Sequence, residues 1–574
     1  MAEYFTPGVY VEEYDNSPRS IEGVGTSIAG FIGMAEKGPV EGAPVFVTNF
    51  KDFKRIFGGF LNEFTYGEYR FLANSVEQFF AHGGTSCFVT RVAPADAKAA
   101  SKTVGAMTVT AKNPGKWGNR VQVSVTASNK KKMQLIAVNK KKEYTAKSVD
   151  GFREGDIVTI NGEYNQIKMI YDDTVVFEKA FTENVVDTSI IPKNVVSLCN
   201  VNVAIRYNDE VENFADLSLN PMAPNYISNK LVKSEIVDLA YAPSAEEVDA
   251  PLKMIFGEEE SGMFTLEGGS DGSIAKVDAA TFIGEDDGPG KRTGIQSFLE
   301  NNLVSMMAIP GVTIPEVVVS LVVHCEKMKN RVAVLDMPAD LTKPADLIEY
   351  RSMIDSTYAA MYHPWIQVYD RSSSRNDFIP PSGAIMGIYA RTDVTRGVHK
   401  APANESVYAT GLSVNYTKAE QDILNPEGIN LIRSFPGQGI RVWGARTASS
   451  NSAFKYINVR RLFIYVEESI KANTNWVVFE PNDTTLWNRV NLTISGFLNN
   501  LWREGMLVGA SEAEAYFVEI GQSTMSRDDI ASGRLICNVG ISPSKPAEFV
   551  VFRVTQFTAD ADNQTAAAAE AANE

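Results

Sequence analysis

The chain has 574 residues and a formal net charge of −16, from 54 basic and 70 acidic side chains. Hydrophobic residues make up 44%, and 42 glycines and 25 prolines are ordinary usage, which excludes a disordered, collagen-like or coiled-coil chain. The acidic balance argues against a general nucleic-acid binder. Four cysteines without a CxxC pair exclude a disulfide scaffold and a structural zinc site, and fit a reducing compartment. The opening Met1-Ala2-Glu3-Tyr4 lacks a basic region followed by an apolar one, so no secretory signal is expected. The longest apolar runs, such as Val317–Val323, fall far short of the ~20 residues of a membrane span. The length predicts roughly four domain-sized units.

In chain order, residues 1–20 read as an extended arm. Val9 and Val11 alternate with Tyr10 and Glu12, a strand period, until Asp15–Pro18 breaks it. Residues 26–92 alternate strand and helix: an apolar run Ser27–Met34, a strand Val45–Thr48, a helix Phe50–Phe57 capped by Asn49 and stopped at Gly58-Gly59, a helix Tyr69–Phe80, and a strand Cys87–Val92. Residues 95–290 hold short β runs at Val121–Thr126, Gln134–Val138, Ile157–Ile160, Gln166–Ile170 and Val175–Phe177. Asn161-Gly162 between two of them predicts a hairpin, and Gly155–Phe177 a small meander. This block reads as one or two β-rich insertions, with Asp286–Gly294 as the linker back. From 296 the α/β texture returns. Val317–Val323 and Val332–Leu335 read as strands buried on both faces, Pro344–Tyr362 as a helix and Trp365–Tyr369 as a strand. The spacing of Val490, Ile494, Phe497, Leu498 and Leu501 predicts an amphipathic helix over Asn488–Trp502, and a second helix covers Val459–Ala472. Ala559–Glu574 has too little apolar surface to order alone.

No residue pattern carries recognisable catalysis. His82, His324, His363 and His399 sit apart from any second ligand at metal spacing, and His324 and Cys325 point to opposite faces if their segment is a strand. Gly284–Arg292 resembles a phosphate-binding loop, but Glu285 and Arg292 stand where that pattern needs Gly and Ser or Thr. Asp336 and Asp370 follow two predicted parallel strands, at the edge where α/β sheets form ligand sites; turn and helix-capping roles are the simpler reading. Ser542 and Lys545 form an S-x-x-K spacing broken by Pro543. Lys130–Lys132 and Lys140–Lys142 flank one β run as a solvated hairpin end. The stretch 433–461 holds Arg433, Arg441, Arg446, Lys455, Arg460 and Arg461 and no acid, which reads either as a solvated face or as a surface kept basic for an acidic partner.

Gly439–Glu468 (GIRVWGARTASSNSAFKYINVRRLFIYVEE) and Trp476–Trp502 (WVVFEPNDTTLWNRVNLTISGFLNNLW) strongly resemble the C-terminal part of contractile tail sheath proteins, found in contractile-tailed phages and bacterial contractile injection systems. The likeness extends to Pro381–Asn404, with GIYARTDVTRGVHKAPAN, to PAEFVVFRVTQF at Pro546–Phe557 and to the opening TPGVYVEE. AKNPGKWGN (Ala111–Asn119) and LEGGSDG (Leu266–Gly272) resemble motifs of the family's outer domain. Residues 129–250 match least.

The resemblance implies a structural subunit without catalysis, cofactor or metal. Such subunits stack as six-fold rings around an inner tube, assemble in an extended metastable state and contract to drive the tube through a target envelope. The implied partners are other copies of the chain, the inner tube protein, and baseplate and tail terminator or cap proteins, with no nucleic acid and no membrane insertion. Assembly is expected in the bacterial cytoplasm, as part of a phage tail or an injection particle. The rival readings are an α/β enzyme using Asp336 and Asp370, and a static tube or capsid subunit. The expected fold is multidomain α/β and α+β. An inner α+β domain takes residues 1–25 and 420–574 with extended terminal arms, a middle α/β domain takes 26–98 and 295–420, and outer β-rich insertions take 99–294. The arms are expected to pair with neighbouring subunits through Val9, Tyr10, Val11 and Glu12 at one end, and Phe549, Val551, Phe552 and Val554 at the other. The basic stretch 433–461 is expected to face the tube.

Overall fold

A computed structural model describes residues 20–182, 194–242, 248–256, 262–370, 374–551 and 553. It is a mixed α/β architecture with several sheets, divided into two compact units. The larger takes residues 20–398 and 402–480, and the smaller takes the C-terminal block from Pro481.

The larger unit is built on a nine-stranded sheet. Its core is parallel, in the order Cys87–Val92, Ala29–Met34, Met306–Ala308, Val332–Asp336, Ala359–His363 and Ile429–Phe435. Antiparallel strands close the two edges: Val45–Val47 on one side, Gly439–Val442 and Glu405–Ser406 on the other. The strands Ala29–Met34, Val332–Asp336 and Ala359–His363 are buried at every position, as strands covered by helices on both faces must be. Sequence-distant segments, 29–92 and 306–363, thus share one sheet, and the intervening β block is an excursion from it. Strand Ile429–Phe435 and its hairpin partner, placed by the sequence beyond the middle domain, extend this same sheet.

Helix Phe50–Phe57 begins where expected, with the Asn49 side chain accepting from the Asp52 amide, and ends at Gly58. Val317–Val323 is not a strand but part of helix Pro315–Met328. Its buried residues Val317, Val318, Leu321, Val322 and Cys325 follow the helical period, and Pro315 occupies the first turn, where its missing N–H costs nothing. Packing on that period outweighs the strand preference of the valines. His324 and Cys325 are therefore both buried on the helix, not opposed across a sheet. The helix at Pro344 stops at Arg351, and residues 359–363 form a sheet strand.

The excursion holds two β bodies. A four-stranded sheet (Glu210–Leu217, Asn200–Tyr207, Gln122–Ser128, Met263–Thr265) and a three-stranded one (Val237–Tyr241, Met107–Ala111, Ser101–Val104) share a core that includes Trp117, Val123, Val203 and Ile205. Inserted into it is a closed barrel of the strands Glu163–Tyr171, Thr174–Phe177, Glu143–Ala146, Lys132–Lys140, Val195–Leu198 and Ile157–Ile160, with its own core around Met133, Tyr144, Ile167 and Phe177. The Asn161-Gly162 hairpin is present, with both residues at positive φ (48° and 89°). Arg91 ties the excursion to the sheet. It is buried and donates to the carbonyls of Ala35, Gly38 and Pro114 at 2.8–2.9 Å.

In the smaller unit, helix Thr484–Arg503 buries Val490, Ile494, Phe497, Leu498 and Leu501 on one face, as its spacing predicts. It carries a two-stranded antiparallel sheet, Tyr516–Ile520 with Cys537–Ile541; the Asn491 amide donates to the Val518 carbonyl at 3.0 Å.

Candidate assembly surfaces

The residues weighed for catalysis each have a defined structural setting. The Asp336 carboxylate is 5% exposed and accepts from the Ser382 amide (2.8 Å), the Ser382 hydroxyl (2.7 Å) and the Gly311 amide (3.1 Å). Ser382 opens helix Ser382–Arg396, so Asp336 satisfies one of that helix's orphan N–H groups from a neighbouring strand. Burial raises its pKa to about 6, against those hydrogen bonds. Asp370 does not end a parallel strand. Its strand, Ile366–Asp370, lies in a separate antiparallel sheet with Arg375–Ile379 and Gly411–Leu412. The two acids therefore do not share a strand edge. A cleft of about 660 Å³ is lined by Lys37, Arg55, Trp117, Glu210 and Glu235 and by neither of them. His82 and His363 are buried, which pushes their pKa down to about 4. His324 is lowered to about 3 by burial and by Arg331 and Lys327. Among the described residues no group of three or more His, Cys, Asp or Glu stands at metal-binding distance. In 284–292, Gly284 caps a short helix, and Arg292 is held by Asp286 (2.6 Å) and Glu300. Ser542 is occupied as a main-chain bridge, its amide donating to Ala515.

The basic stretch divides. Arg446, Arg460 and Arg461 are not on a surface. Arg446 is 5% exposed and donates to the Asn425 carbonyl at 3.0 Å. Arg460, 8% exposed, lies 3.7 Å from the Phe454 ring centroid and donates to the Thr357 hydroxyl at 3.1 Å. Arg461 forms an ion pair with Asp393, both side chains buried, and donates to the Thr26 carbonyl at 3.0 Å. An arginine whose acid lies 68 residues away looks unpaired in any local count of charge. Arg433 and Arg441 do come together, as direct cross-strand partners on the ribbon Ile429–Phe435/Gly439–Val442 at the sheet edge. Arg433 donates to the Gln421 side chain at 2.7 Å, and Arg441 to the Asn404 carbonyl at 2.9 Å. The Phe435 and Trp443 rings pack beside them, 4.5 Å between centroids. Lys455 is half-buried, its ammonium 5.5 Å from the Tyr456 ring.

Of the arm residues, Val9, Tyr10, Val11, Glu12, Phe552 and Val554 lie outside the described residues. Phe549 and Val551 are exposed, 74% and 78%, and belong to no strand. Near them in sequence is a feature no local pattern announced. The Tyr516–Ile520/Cys537–Ile541 sheet has no third strand among the described residues, and Phe517 lies exposed over Gly540.

Residues 290–448 match the phage tail sheath protein central domain, and residues 449–557 the phage tail sheath C-terminal domain. Residues 290–557 thus carry the central and C-terminal tail sheath domains in succession. A putative prophage major tail sheath protein of Pseudomonas aeruginosa is 25% identical over 291 residues, covering 49% of this chain and 73% of the relative. The tail sheath protein of Vibrio phage KVP40 is 27% identical over 214 residues, 36% of this chain and 31% of the relative, so the chain spans under a third of that longer protein. The sheath complex of an extracellular contractile injection system, PVC, in its contracted state has the same fold: TM-score 0.52 at 22% identity, over 98% of this chain and 100% of that one. The tail sheath family domains take in the central sheet from Met306 onward, the basic ribbon, the buried arginines and the open two-stranded sheet. The barrel lies outside them.

Proposed function

We propose that the chain is the subunit of a contractile sheath, polymerising as stacked six-membered rings around an inner tube and shortening to drive that tube through a target envelope. The observation that carries this reading is the open two-stranded sheet, followed in sequence by the exposed apolar run Phe549–Val551. Two strands alone are marginal in water, and an uncovered edge invites pairing. Strands supplied by neighbouring copies complete the sheet, because main-chain hydrogen bonds then close across subunits. Val9–Glu12 and Phe549–Val554 are the donated strands. Residues 26–98 and 295–420 form the middle layer, residues 99–294 face outward, and residues 1–25 and 420–574, which include both arms and the Arg433–Arg441 ribbon, lie inward. Arg433 and Arg441, with Lys455, supply the basic contact to the tube; the buried arginines build the body behind them.

The subunit works without catalysis. Its energy is stored in the extended lattice, so contraction uses no nucleotide. Its partners are its own copies, the tube, and baseplate and terminator proteins, and it assembles in the cytoplasm. Removing residues 2–15 tests the reading: the monomer stays folded, with unchanged circular dichroism, and forms no sheaths by negative-stain microscopy. Normal polymers from the shortened chain would refute intersubunit arms. Comparing particle length before and after mild denaturant, without ATP, separates a sheath from a static tube, which would keep its length.

A further inference from the structure

Helix Ile457–Asn473 presents Arg461, Tyr465, Ser469 and Asn473 at intervals of four, one side chain per turn along one stripe. The segment Glu22–Thr26 runs along that stripe in the opposite direction. At its far end the Asn473 amide donates to the Glu22 carbonyl (2.9 Å) and its oxygen accepts from the Glu22 amide (3.4 Å). One turn back, the Ser469 hydroxyl accepts from the Val24 amide at 3.1 Å. Tyr465 lies over Gly23 so closely that a Cβ there would sit 1.9 Å from its hydroxyl oxygen. At the near end Arg461 donates to the Thr26 carbonyl and pairs with Asp393, which accepts from the Thr26 hydroxyl at 2.6 Å. The Ser305 hydroxyl also donates to the Thr26 carbonyl, at 2.6 Å.

The polar contacts grade along the segment, although the Ile21 side chain at its start is itself buried and must be exposed when the segment leaves. Those at Glu22 are a pair of hydrogen bonds to the Asn473 carboxamide at an exposed position, whereas those at Thr26 converge on a buried ion pair whose side chains are 3% and 4% exposed. Exposed hydrogen bonds exchange readily with water, while a buried charge pair cannot open without leaving both charges desolvated. Because Ser469 and Asn473 bind main-chain groups, the stripe holds Glu22 and Val24 without reading their side chains; the side-chain requirements are the missing one at Gly23 and the buried one at Ile21.

We infer that this stripe is a release track for the N-terminal arm: residues 20–25 peel from the helix when the arm is pulled, and the Thr26–Arg461–Asp393 anchor sets where peeling stops. Six freed residues carry the arm's root through about 20 Å at ~3.3–3.6 Å each, slack that a subunit needs if its body shifts while its arm stays paired with a neighbour. The inference rests on reading the N-terminal residues as an intersubunit arm.

Two measurements test it. In the full-length monomer, amide hydrogen exchange grades along the segment: Val24 exchanges at least tenfold more slowly than Glu22, and Phe31, in the sheet, at least tenfold more slowly again. Uniform protection from Glu22 to Phe31 overturns the track. Second, Val24→Cys with Ser469→Cys, oxidised and with the cross-link verified by peptide mass, fixes the segment to the helix. The oxidised chain assembles extended sheaths that do not shorten in mild denaturant, and reduction restores shortening to the wild-type length. Oxidised sheaths that shorten fully overturn the inference. A wild-type chain that forms no sheaths at all refutes instead the reading of the preceding section, and leaves the exchange gradient to decide the track.

Discussion

Arg460 and Arg461 adjoin Arg441 and Lys455 in the same acid-free stretch, yet their environments separate them. Arg461→Glu would set a second carboxylate against Asp393 where both side chains are shielded from water. Breaking a buried pair in this way costs about 3–5 kcal/mol, so the variant unfolds at markedly lower urea concentration or does not accumulate as folded protein. Arg441→Glu, at a half-buried position of the ribbon, gives up the hydrogen bond to the Asn404 carbonyl but gives Arg433 an opposite charge in place of a like one across the strand pair. Its stability falls by no more than the ~0.5–1.5 kcal/mol of one hydrogen bond, well short of the loss in Arg461→Glu, while assembly around the tube weakens. If Arg461→Glu melted like wild type, the buried pair would not be holding the body together. Asp336 offers a separate readout. Its carboxyl titrates near 6 in the folded chain and near 3.9 unfolded. The folded state thus binds this proton more tightly. The stabilisation is fully present below pH ~4 and is lost as pH rises through about 6, on the order of 3 kcal/mol in all. Asp336→Asn removes that titration while keeping one oxygen for Ser382. The stability difference between variant and wild type should therefore change between pH 4 and 7, in favour of the variant as pH rises. A difference flat across that range would show that the carboxyl is not shifted.

Between helices, contact is set by what is missing. Helices Leu72–Ala81 and Ser382–Arg396 approach so closely that a Cβ on Gly383 would lie 2.2 Å from the Ser75 carbonyl oxygen, and one on Gly387 2.5 Å from that of Phe79. The obstacle is backbone, which cannot step aside. Gly387→Val should therefore cost at least the 1–3 kcal/mol typical of overpacking. Gly496, inside helix Thr484–Arg503 with open space around its Cβ position, behaves oppositely. Gly496→Ala should stabilise by about 0.5–1 kcal/mol, and calorimetry on both variants checks the contrast. The same pair of helices marks what sequence can reveal. Helix Phe50–Phe57 was legible because Asn49, Gly58 and an amphipathic period all agree. Ser382–Arg396 shows no such contrast, since Ser382 through Ala390 are all buried and no polar face betrays the period. Helix Pro315–Met328 reads as a strand because valine preference is local and its packing partners are not. The β excursion was legible from turn chemistry, as at Asn161-Gly162, but barrel closure depends on pairings such as Val195↔Gln134, far apart in sequence. The assembly surfaces fared likewise. Charge counting found the basic stretch, but its division into a ribbon and a buried anchor depends on Asp393 and Thr26, which only the fold brings near.

At the scale of the molecule, the barrel behaves as a guest. Its core residues, among them Met133, Tyr144, Val158, Ile167, Phe177 and Val196, form a cluster of their own. Its ends leave the host at one point, because Ser128 and Asn200 are register partners on adjacent antiparallel strands. Replacing residues 129–199 by Asn-Gly would close those strands with the two-residue turn antiparallel neighbours favour. The host loses little in exchange. Ile157, Cys199 and Tyr164 leave its core. The Asn220 amide, which donates to the Glu154 carbonyl and the Asp156 carboxylate at 2.8 Å each, then meets solvent in place of the departed barrel. The ties that place the host against the central sheet are untouched, since Arg91 and the Lys37–Glu210 and Arg55–Glu235 ion pairs lie outside the excised stretch. The barrel also lies outside both tail sheath domains. The excised chain should therefore be soluble, melt cooperatively within a few degrees of the intact one, and still build sheaths of unchanged length that shorten on the same trigger. A chain that folds but no longer assembles would mean that the barrel holds a neighbouring subunit. One that fails to fold would mean that its core and the host's are a single unit.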